Sequence, residues 1–324
     1  SVDNFFELSL LNEIAKSHKK IVNILLRITP GIECHTHEYI QTGHLDSKFG
    51  FDLTQIDDAV ELIVNDYTNL KLHGLHAHIG SQIFEKSIYG DEIEILVKEI
   101  ARLDEKFGLK LDEINIGGGL GVKYVEADYP PSTYEVAEIV IKRLYECIEK
   151  YKIDAPALFI EPGRSIISTS GVTLYTLGSS KQVPKGKTYF AVDGGMADNA
   201  RPSMYQAEYD AVQTVIKGIR ELSKLLDVDF WYYELAQTVT VAGRFCESGD
   251  ILIKNIKLPE IEEGDILCVY NTGAYNYSMA SNYNRVQKPA MVLVNNSQSD
   301  IIIKRESLED LIAHDIIPDR LKND

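Results

Sequence analysis

Two short segments of the sequence carry side chains that could act together on one small ligand. In residues 246–250, the thiol of Cys246 is followed directly by the carboxylate of Glu247. Neighbouring carboxylates disfavour a thiolate, so this thiol suits proton donation better than nucleophilic attack, and Glu247 can hold an ammonium group. In the second segment, Glu161 and Arg164 stand on either side of a Pro-Gly turn and offer an acid and a guanidinium. The two segments predict chemistry on an amino acid.

A glycine run and a histidine point to a phosphorylated aromatic cofactor. Gly117, Gly118 and Gly119 follow a short apolar strand, and their amides could cradle a phosphate without interference from a Cβ atom. A tight turn between a strand and a helix is the alternative. The sequence has no Gly-x-Gly-x-x-Gly followed by an acidic strand end, which excludes a Rossmann site. His78 suits stacking on an aromatic ring, and Ser81 can bond to the anion.

The histidines do not form a pattern typical of zinc sites. His76 and His78 lie two apart and would face the same side of a strand. The sequence has neither a Cys-x-x-Cys pair nor a His-x-x-x-His pair on a helix to complete such a site. We therefore predict no metal.

A loop arginine and a late tyrosine complete the candidate residues. Arg201 could take a substrate carboxylate in a bidentate pair, and the hydroxyl of Tyr275 could donate to a phosphate. Each residue also has a plainer interpretation when it is considered alone. Cys246 would be a buried core thiol, Glu161 a surface carboxylate, Arg201 a surface residue and Tyr275 a core tyrosine.

Hydrophobic periodicity predicts two domains. Apolar strands alternate with amphipathic helices over residues 1–170, which is typical of a parallel sheet or barrel with its site at the carboxyl ends of the strands. The strands are predicted at 21–27, 72–78, 114–116 and 157–160, and helices at 56–64, 92–107 and 134–151. Eight strands close such a barrel, so we expect about half of one.

The second predicted domain, residues 171–324, contains short apolar runs between Gly, Asp, Asn and Pro turns. This pattern favours an antiparallel β-barrel or sandwich, with one helix over 307–313 capped by Ser307. The predicted fold is therefore α/β followed by all-β.

Composition limits the partners. The formal net charge of −16 argues against nucleic acid or an anionic membrane as a partner. The four cysteines show no disulfide framework, which predicts reduced thiols in a cytoplasmic protein. The sequence does not start with Met and leads at once into a helical pattern, so we expect it to begin inside a domain.

Seven ordered motifs make essentially the whole chain resemble the fold-type III pyridoxal-phosphate decarboxylases, which carry a barrel like that of alanine racemase. The motifs are HTHEYIQTGHLDSKFGF (35–51), HAHIGSQ (76–82), NIGGGLG (115–121), EPGR (161–164), DGGMADNARPSMY (193–205), CESGD (246–250) and NTGAY (271–275).

The resemblance implies a binding site for pyridoxal 5'-phosphate. The implied cofactor-binding residues are His78, Ser81, Gly117, Gly118, Gly119, Glu161, Pro162, Gly163, Arg164 and Tyr275. His78 would stack on the ring, and Glu161 would keep the pyridine nitrogen protonated, so that the ring accepts electrons when CO2 departs.

The resemblance also implies roles toward the substrate. Cys246 would return a proton to the substrate carbon, and Glu247 would hold a distal ammonium. Arg164, Arg201 and Tyr205 would bind a distal carboxylate, with Tyr275 nearby. The catalytic set would be Cys246, Glu161 and His78. The expected reaction converts meso-2,6-diaminopimelate to L-lysine and CO2 in a homodimer whose subunits share their active sites.

One expected residue has no counterpart. In the family, the lysine that holds the cofactor covalently lies on the first barrel strand, upstream of the position matching Ser1. We therefore expect an inactive chain, shortened at its N-terminus, without covalently bound cofactor. The alternatives are a decarboxylase acting on ornithine, arginine or carboxynorspermidine, and a non-catalytic relative. Arg201 and the glutamate after Cys246 weigh against a dibasic substrate, which has no distal carboxylate.

Overall fold

The computed structural model describes residues 1–32, 47–214, 237–258 and 263–322. The chain forms two compact units. Unit 1 comprises residues 1–123 and 127–166, and unit 2 comprises residues 124–126 and 167–324. The chain therefore passes from unit 1 to unit 2 between residues 166 and 167, apart from the short segment 124–126. Most of the motif at 35–51, together with Cys34, lies outside the described residues.

Unit 1 alternates strands and helices along the chain. The strands are β1 (Val22–Thr29), β2 (Phe51–Asp52), β3 (Leu70–His76), β4 (Glu113–Asn115) and β5 (Ala157–Phe159). The helices are α1 (Phe5–Ser17), α2 (Ile56–Asn65), α3 (Ser87–Phe107), α4 (Thr133–Tyr151) and α5 (Gly163–Ile167), the last of which crosses the unit boundary. The four predicted strands are confirmed, and α3 begins earlier than its periodicity indicated.

The strands of unit 1 form one parallel sheet in the order β2-β1-β3-β4-β5. Every pairing in this sheet is parallel, so all carboxyl ends lie at the same edge. Side chains of the central strands and of α3 form the core; Leu26, Leu75, Ile114, Ile93 and Leu96 are completely buried. A parallel sheet with helices between its strands is the arrangement that the alternating pattern predicts.

Local signals explain where the helices begin and end. The side chain of Asn4 caps α1 by accepting a hydrogen bond from the amide of Glu7. Ser132 and Glu135 form a reciprocal capping box at the start of α4. Helix α3 ends at Gly108, whose φ of 68° is in the left-handed region that favours glycine.

Unit 2 is built mainly of strands. They are β6 (Thr173–Gln182), β7 (Thr188–Val192), β8 (Ala211–Thr214), β9 (Gln237–Ala242), β10 (Ile251–Leu258), β11 (Ile266–Val269), β12 (Met291–Asn295) and β13 (Gln298–Ile303). The first six form a sheet in the order β10-β9-β7-β6-β11-β8, and β12 pairs with β13. The sheet is mixed, since β7 and β9 run parallel, whereas the sequence predicted only antiparallel pairs.

Short helices of unit 2 are α6 (Arg201–Tyr205), α7 (Asn276–Met279) and α8 (Leu308–Ile312). The predicted cap of the last helix is confirmed, because Ser307 and Asp310 form a capping box. Within the described ranges, every helix is too short or too polar to cross a bilayer.

Candidate cofactor and substrate sites

The register of the parallel sheet gathers polar residues at its carboxyl edge. Arg27 on β1 pairs with His76 on β3, and His76 pairs with Asn115 on β4. His78 lies two residues after His76, and Gly117 lies two residues after Asn115, so both follow these strands at the same edge of the sheet. The chain leaving β5 brings Glu161 to the same edge, where its amide donates to the carbonyl of Gly117 at 2.6 Å. Sequence-predicted site residues from three strands therefore meet.

The carboxylate of Glu161 is oriented by its neighbours. Nδ2 of Asn115 donates to Oε1 of Glu161 at 2.8 Å, and Oδ1 of Asn115 accepts from the amide of Gly117 at 2.8 Å. Nε2 of His76 lies 3.8 Å from Oε1 of Glu161. The Glu161 side chain is 58% exposed. Asn115 and His76 contact it on one side, and a ligand can reach it on the other.

Both histidines of the motif are neutral at pH 7. Burial lowers the pKa of His76 to about 4, and the nearby Arg27 acts in the same direction. Burial and Arg27 also lower the pKa of His78. The amide of Gly118 donates to Nδ1 of His78 at 3.2 Å, so the proton of the neutral ring is on Nε2.

Backbone atoms pack so closely against Gly118 and Gly119 that no larger residue fits at these two positions. A Cβ atom on Gly118 would lie 2.1 Å from the carbonyl oxygen of Glu161, and one on Gly119 would lie 2.4 Å from that of Gly80. Gly117 has a φ of 62° and approaches the ring of His78. Because the amides of Gly117 and Gly118 donate to Asn115 and His78, the structure supports a packing role for these two glycines.

Arg164 and Ser81 form a preorganised pair. Both Nε and Nη2 of Arg164 donate to Oγ of Ser81, at 3.2 and 2.8 Å. The arginine is only 5% exposed, and it stands at the second position of α5, directly after the turn formed by Pro162 and Gly163. A guanidinium fixed in this way, beside a hydroxyl, suits a phosphate.

The residues gathered in unit 1 fit pyridoxal phosphate. The guanidinium of Arg164 and the hydroxyl of Ser81 suit its phosphate, and the neutral imidazole of His78 suits its ring. Glu161 supplies the carboxylate that a protonated pyridine nitrogen requires.

In unit 2, the loop that carries Cys246 is shaped by Asp250. The buried carboxylate of Asp250 accepts from the amides of Met196 and Phe245, at 2.7 and 2.8 Å. Its oxygens lie within 3 Å of where Cβ atoms would stand on Gly195 and Gly243. Cys246 and Glu247 themselves are exposed at the tip of this loop.

Arg201 is enclosed by aromatic rings. Its guanidinium lies over the ring of Tyr124 at 5.1 Å and over that of Tyr209 at 5.7 Å, and Nη1 donates to the Tyr209 hydroxyl at 2.6 Å. The residue is 5% exposed. Burial raises the pKa of Tyr209, so its hydroxyl stays protonated and donates onward to Oδ1 of Asn276 at 3.3 Å.

These contacts bring the predicted segments of unit 2 together. Ser203 on α6 donates to the carbonyl of Gly249 at 2.9 Å, which joins the helix of Arg201 and Tyr205 to the loop of Cys246. The link from Arg201 through Tyr209 to Asn276 reaches α7, whose N-cap is Tyr275. Tyr275 has a φ of 67° and is 45% exposed.

One further cluster lies at the opposite end of the strands in unit 1. Among the described residues, His73, Asp112 and Glu113 have ligand atoms within 4.8 Å of one another. Nδ1 of His73 is 2.9 Å from Oδ1 of Asp112, so a hydrogen bond between these two side chains explains the arrangement. The described cysteines, at 147, 246 and 268, are free thiols.

Sequence reasoning missed several residues of these sites. Asn115 orients Glu161, and the sequence marks it only as part of the motif at 115–121. The sequence signal for His76 is its spacing of two residues from His78, which places both on the same face of a strand. Tyr124 and Tyr209 surround Arg201 without any signal of spacing, because they come from separate segments of unit 2.

Known proteins share both the sequence and the fold. The family model of the pyridoxal-binding domain of pyridoxal-dependent decarboxylases matches residues 1–168. The diaminopimelate decarboxylase of Synechocystis sp. is 48% identical over 320 residues, which cover 99% of this chain and 65% of that protein. The enzyme of the same name from Bacillus subtilis is 44% identical over 317 residues, covering 97% of this chain and 69% of that protein.

A solved structure agrees. The M. jannaschii diaminopimelate decarboxylase in complex with L-lysine superposes with a TM-score of 0.85 at 32% identity, covering 99% of this chain and 70% of that one. The chain thus spans about two thirds of the length of the relatives it matches. It belongs to the diaminopimelate decarboxylase family of the pyridoxal-dependent decarboxylases.

Proposed function

We propose that this chain belongs to a protein that decarboxylates meso-2,6-diaminopimelate to L-lysine and CO2 with pyridoxal 5'-phosphate as cofactor, and that the 324-residue polypeptide by itself is inactive. One observation carries the proposal: Ser81, Glu161 and Arg164 meet with His78 at one sheet edge, in a chain 48% identical to a diaminopimelate decarboxylase. The L-lysine bound to the M. jannaschii relative is the product expected of this reaction.

Bound at this edge, the cofactor supplies a ring that accepts the electrons released when CO2 leaves. Arg164 and Ser81 hold its phosphate, and Gly119 adds a backbone donor. Glu161, oriented by Asn115, keeps a proton on the pyridine nitrogen. The neutral His78 packs against the ring without adding positive charge.

The groups of unit 2 act on the substrate. Cys246 delivers a proton to the carbon that has lost CO2, and Glu247 binds the distal ammonium. Arg201 and Tyr205 bind the distal carboxylate. The enclosure of Arg201 by Tyr124 and Tyr209 keeps its charge in a place of low dielectric, where a carboxylate binds more strongly than in water.

We further propose that the active enzyme is a homodimer in which Cys246 and Glu247 serve the partner's site, and that it works in the cytoplasm. The exposure of both residues at a loop tip supports the first proposal. The free thiols at 147, 246 and 268 support the second.

We expect the 324-residue polypeptide by itself to bind pyridoxal phosphate without a covalent bond to lysine. Several lysines of unit 1 are engaged in ion pairs with Glu135, Asp57, Asp104 and Glu94. Borohydride treatment in the presence of the cofactor, followed by peptide mapping, tests this expectation. A labelled lysine within residues 1–324 would contradict it.

The proposed reaction is tested with the protein as its gene encodes it. Release of CO2 and formation of lysine are measured with meso-2,6-diaminopimelate, ornithine, arginine and carboxynorspermidine, with and without the cofactor. We expect turnover of the first substrate alone, and a Cys246→Ala variant as the matched inactive control. Turnover of a dibasic substrate in preference would favour the related decarboxylases, and no turnover of any would favour a non-catalytic relative.

A further inference from the structure

Two consecutive residues of unit 2 contact the two exposed residues at the tip of the Cys246 loop. The hydroxyl of Tyr283 donates to Oε1 of Glu247. Nδ2 of Asn284 lies 3.8 Å from Sγ of Cys246, within hydrogen-bonding distance for sulfur. Residues 283–285 form one tight turn whose middle residue, Asn284, has a non-helical backbone, so one local backbone arrangement sets both contacts.

The backbone of this turn has an uncommon conformation at Asn284, the residue that contacts Cys246. Asn284 has a φ of 53°, in the left-handed region that asparagine tolerates better than most residues. That conformation presents Tyr283 and Asn284 to the same loop. The ring of Tyr283 packs on the ring of Phe245, with centroids 5.6 Å apart, which adds an apolar contact beside the polar ones.

Neighbouring residues fix the turn from both ends. Asn282 donates through Nδ2 to the carbonyl of Val286 at 3.0 Å and to Oε2 of Glu306 at 2.5 Å. Arg285 donates to the carboxylate of Asp315 at 2.9 Å. The donors that reach Glu247 and Cys246 are therefore carried by an anchored segment.

We propose that Tyr283 and Asn284 are positioning residues that fix Glu247 and Cys246 for ammonium binding and proton transfer. The inference rests on the proposed function for its purpose, but its geometry is independent of it. By holding Oε1, Tyr283 directs Oε2 of Glu247 to the substrate. By donating to sulfur, Asn284 fixes the direction of the thiol and supports negative charge on it after the proton has left.

The ionisation of Tyr283 agrees with this role. The hydrogen bond to Glu247 raises the pKa of Tyr283, and the nearby Cys246 acts in the same direction. The phenol therefore remains a donor throughout the pH range in which the enzyme would work. When the Glu247 carboxylate accepts this hydrogen bond from Tyr283, it places less negative charge near the Cys246 thiol.

The test measures alkylation of Cys246 by iodoacetamide at neutral pH, by mass spectrometry of its peptide, on the 324-residue chain. Asn284→Gly removes the amide donor and suits the left-handed backbone. It should slow alkylation about two- to fivefold, because a donor to the thiolate is lost. The matched control is Asn296→Gly, which changes another asparagine with a φ of 48° and should leave the rate unchanged.

A double-mutant cycle tests the second contact. Tyr283→Phe keeps the ring on Phe245 but loses the hydroxyl, so Glu247 places more charge near the thiol and alkylation slows about twofold. In an E247Q background the same substitution should have no effect. Cys147 and Cys268 are buried, one in each unit, and should stay unlabelled in every variant that is folded.

The proposal is overturned if Asn284→Gly leaves the rate unchanged or faster, or if Tyr283→Phe acts equally with and without the Glu247 carboxylate. Neither result depends on decarboxylation, since the thiol is probed directly. Failure of the lysine assay with intact coupling in the cycle would therefore count against the proposed function alone.

Discussion

The amide of Gly118 donates to Nδ1 of His78, and the same glycine approaches the carbonyl of Glu161 so closely that no Cβ atom fits between them. One residue thus sets the tautomer of an imidazole and the distance to a carboxylate. The His78 imidazole and the Glu161 carboxylate are the two groups that we expect to contact the cofactor ring. Contacts of the Gly118 backbone set the distance between them.

Gly118→Ala should therefore destabilise unit 1. Its Cβ atom would lie 2.1 Å from the backbone oxygen of Glu161, so the segments that follow β4 and β5 must separate, at a cost of about 1–3 kcal/mol. Urea unfolding followed by circular dichroism measures the loss. Gly90→Ala is the control, since its nearest contact is a side-chain carbon at 3.4 Å, and we expect equal or slightly higher stability. Equal unfolding midpoints for the two variants would contradict the packing argument.

The pair of Arg164 and Ser81 should govern affinity for phosphate. Arg164→Lys replaces a planar donor that makes two hydrogen bonds to Ser81, and we expect pyridoxal phosphate to bind about tenfold more weakly. Equilibrium dialysis of the chain gives the dissociation constant. Pyridoxal, which lacks the phosphate, should bind both forms equally, and an equal loss for the two ligands would rule out a phosphate role.

Acid should destabilise unit 1 through His76. Its pKa is about 4 in the folded chain against an ordinary 6.5, so between these values the unfolded chain binds more protons. The free energy of unfolding therefore falls as the pH drops from 6.5 toward 4, by about 3 kcal/mol from this group. Urea titrations at several pH values should show a shallower decline for His76→Gln. An identical decline would contradict the assignment.

The isolated chain should self-associate. Phe6, Leu10 and Ile14 recur at helical spacing along α1 and are 74%, 47% and 47% exposed. Dynamic light scattering should show particles larger than a 36.4 kDa monomer, and Phe6→Ser with Leu10→Ser should reduce their size. Tyr129→Ser removes an equally exposed ring outside this stripe and should change nothing. A monodisperse monomer before substitution would contradict the expectation.

Much of unit 1 could be predicted from the sequence because its physics is local. Short apolar runs predicted the strands, period-3.6 patterns predicted the helices, and the motifs that follow the strands predicted which residues would lie at the carboxyl edge. The mixed sheet of unit 2 could not be predicted in this way. Whether β7 pairs parallel with β9 depends on contacts between distant segments, and the alternation of apolar residues is the same for either direction.

Some contacts of the site residues could be predicted from the sequence, and others could not. The pairing of Arg164 with Ser81 was within reach, since both occurred in recognised motifs. The enclosure of Arg201 was not, because it requires Tyr124 and Tyr209 to converge from separate segments. The glycine run was predicted as a phosphate cradle, whereas two of its amides are engaged within the protein.

The motif at 246–250 combines two kinds of residue, those proposed to act on the substrate and Asp250, which shapes the loop. Cys246 and Glu247 are the proposed reactive groups, whereas the buried carboxylate of Asp250 shapes the loop and leaves no room for side chains at Gly195 and Gly243. Grafting the reactive pair onto another scaffold would therefore require Asp250 and its glycine-lined socket to be transplanted with it.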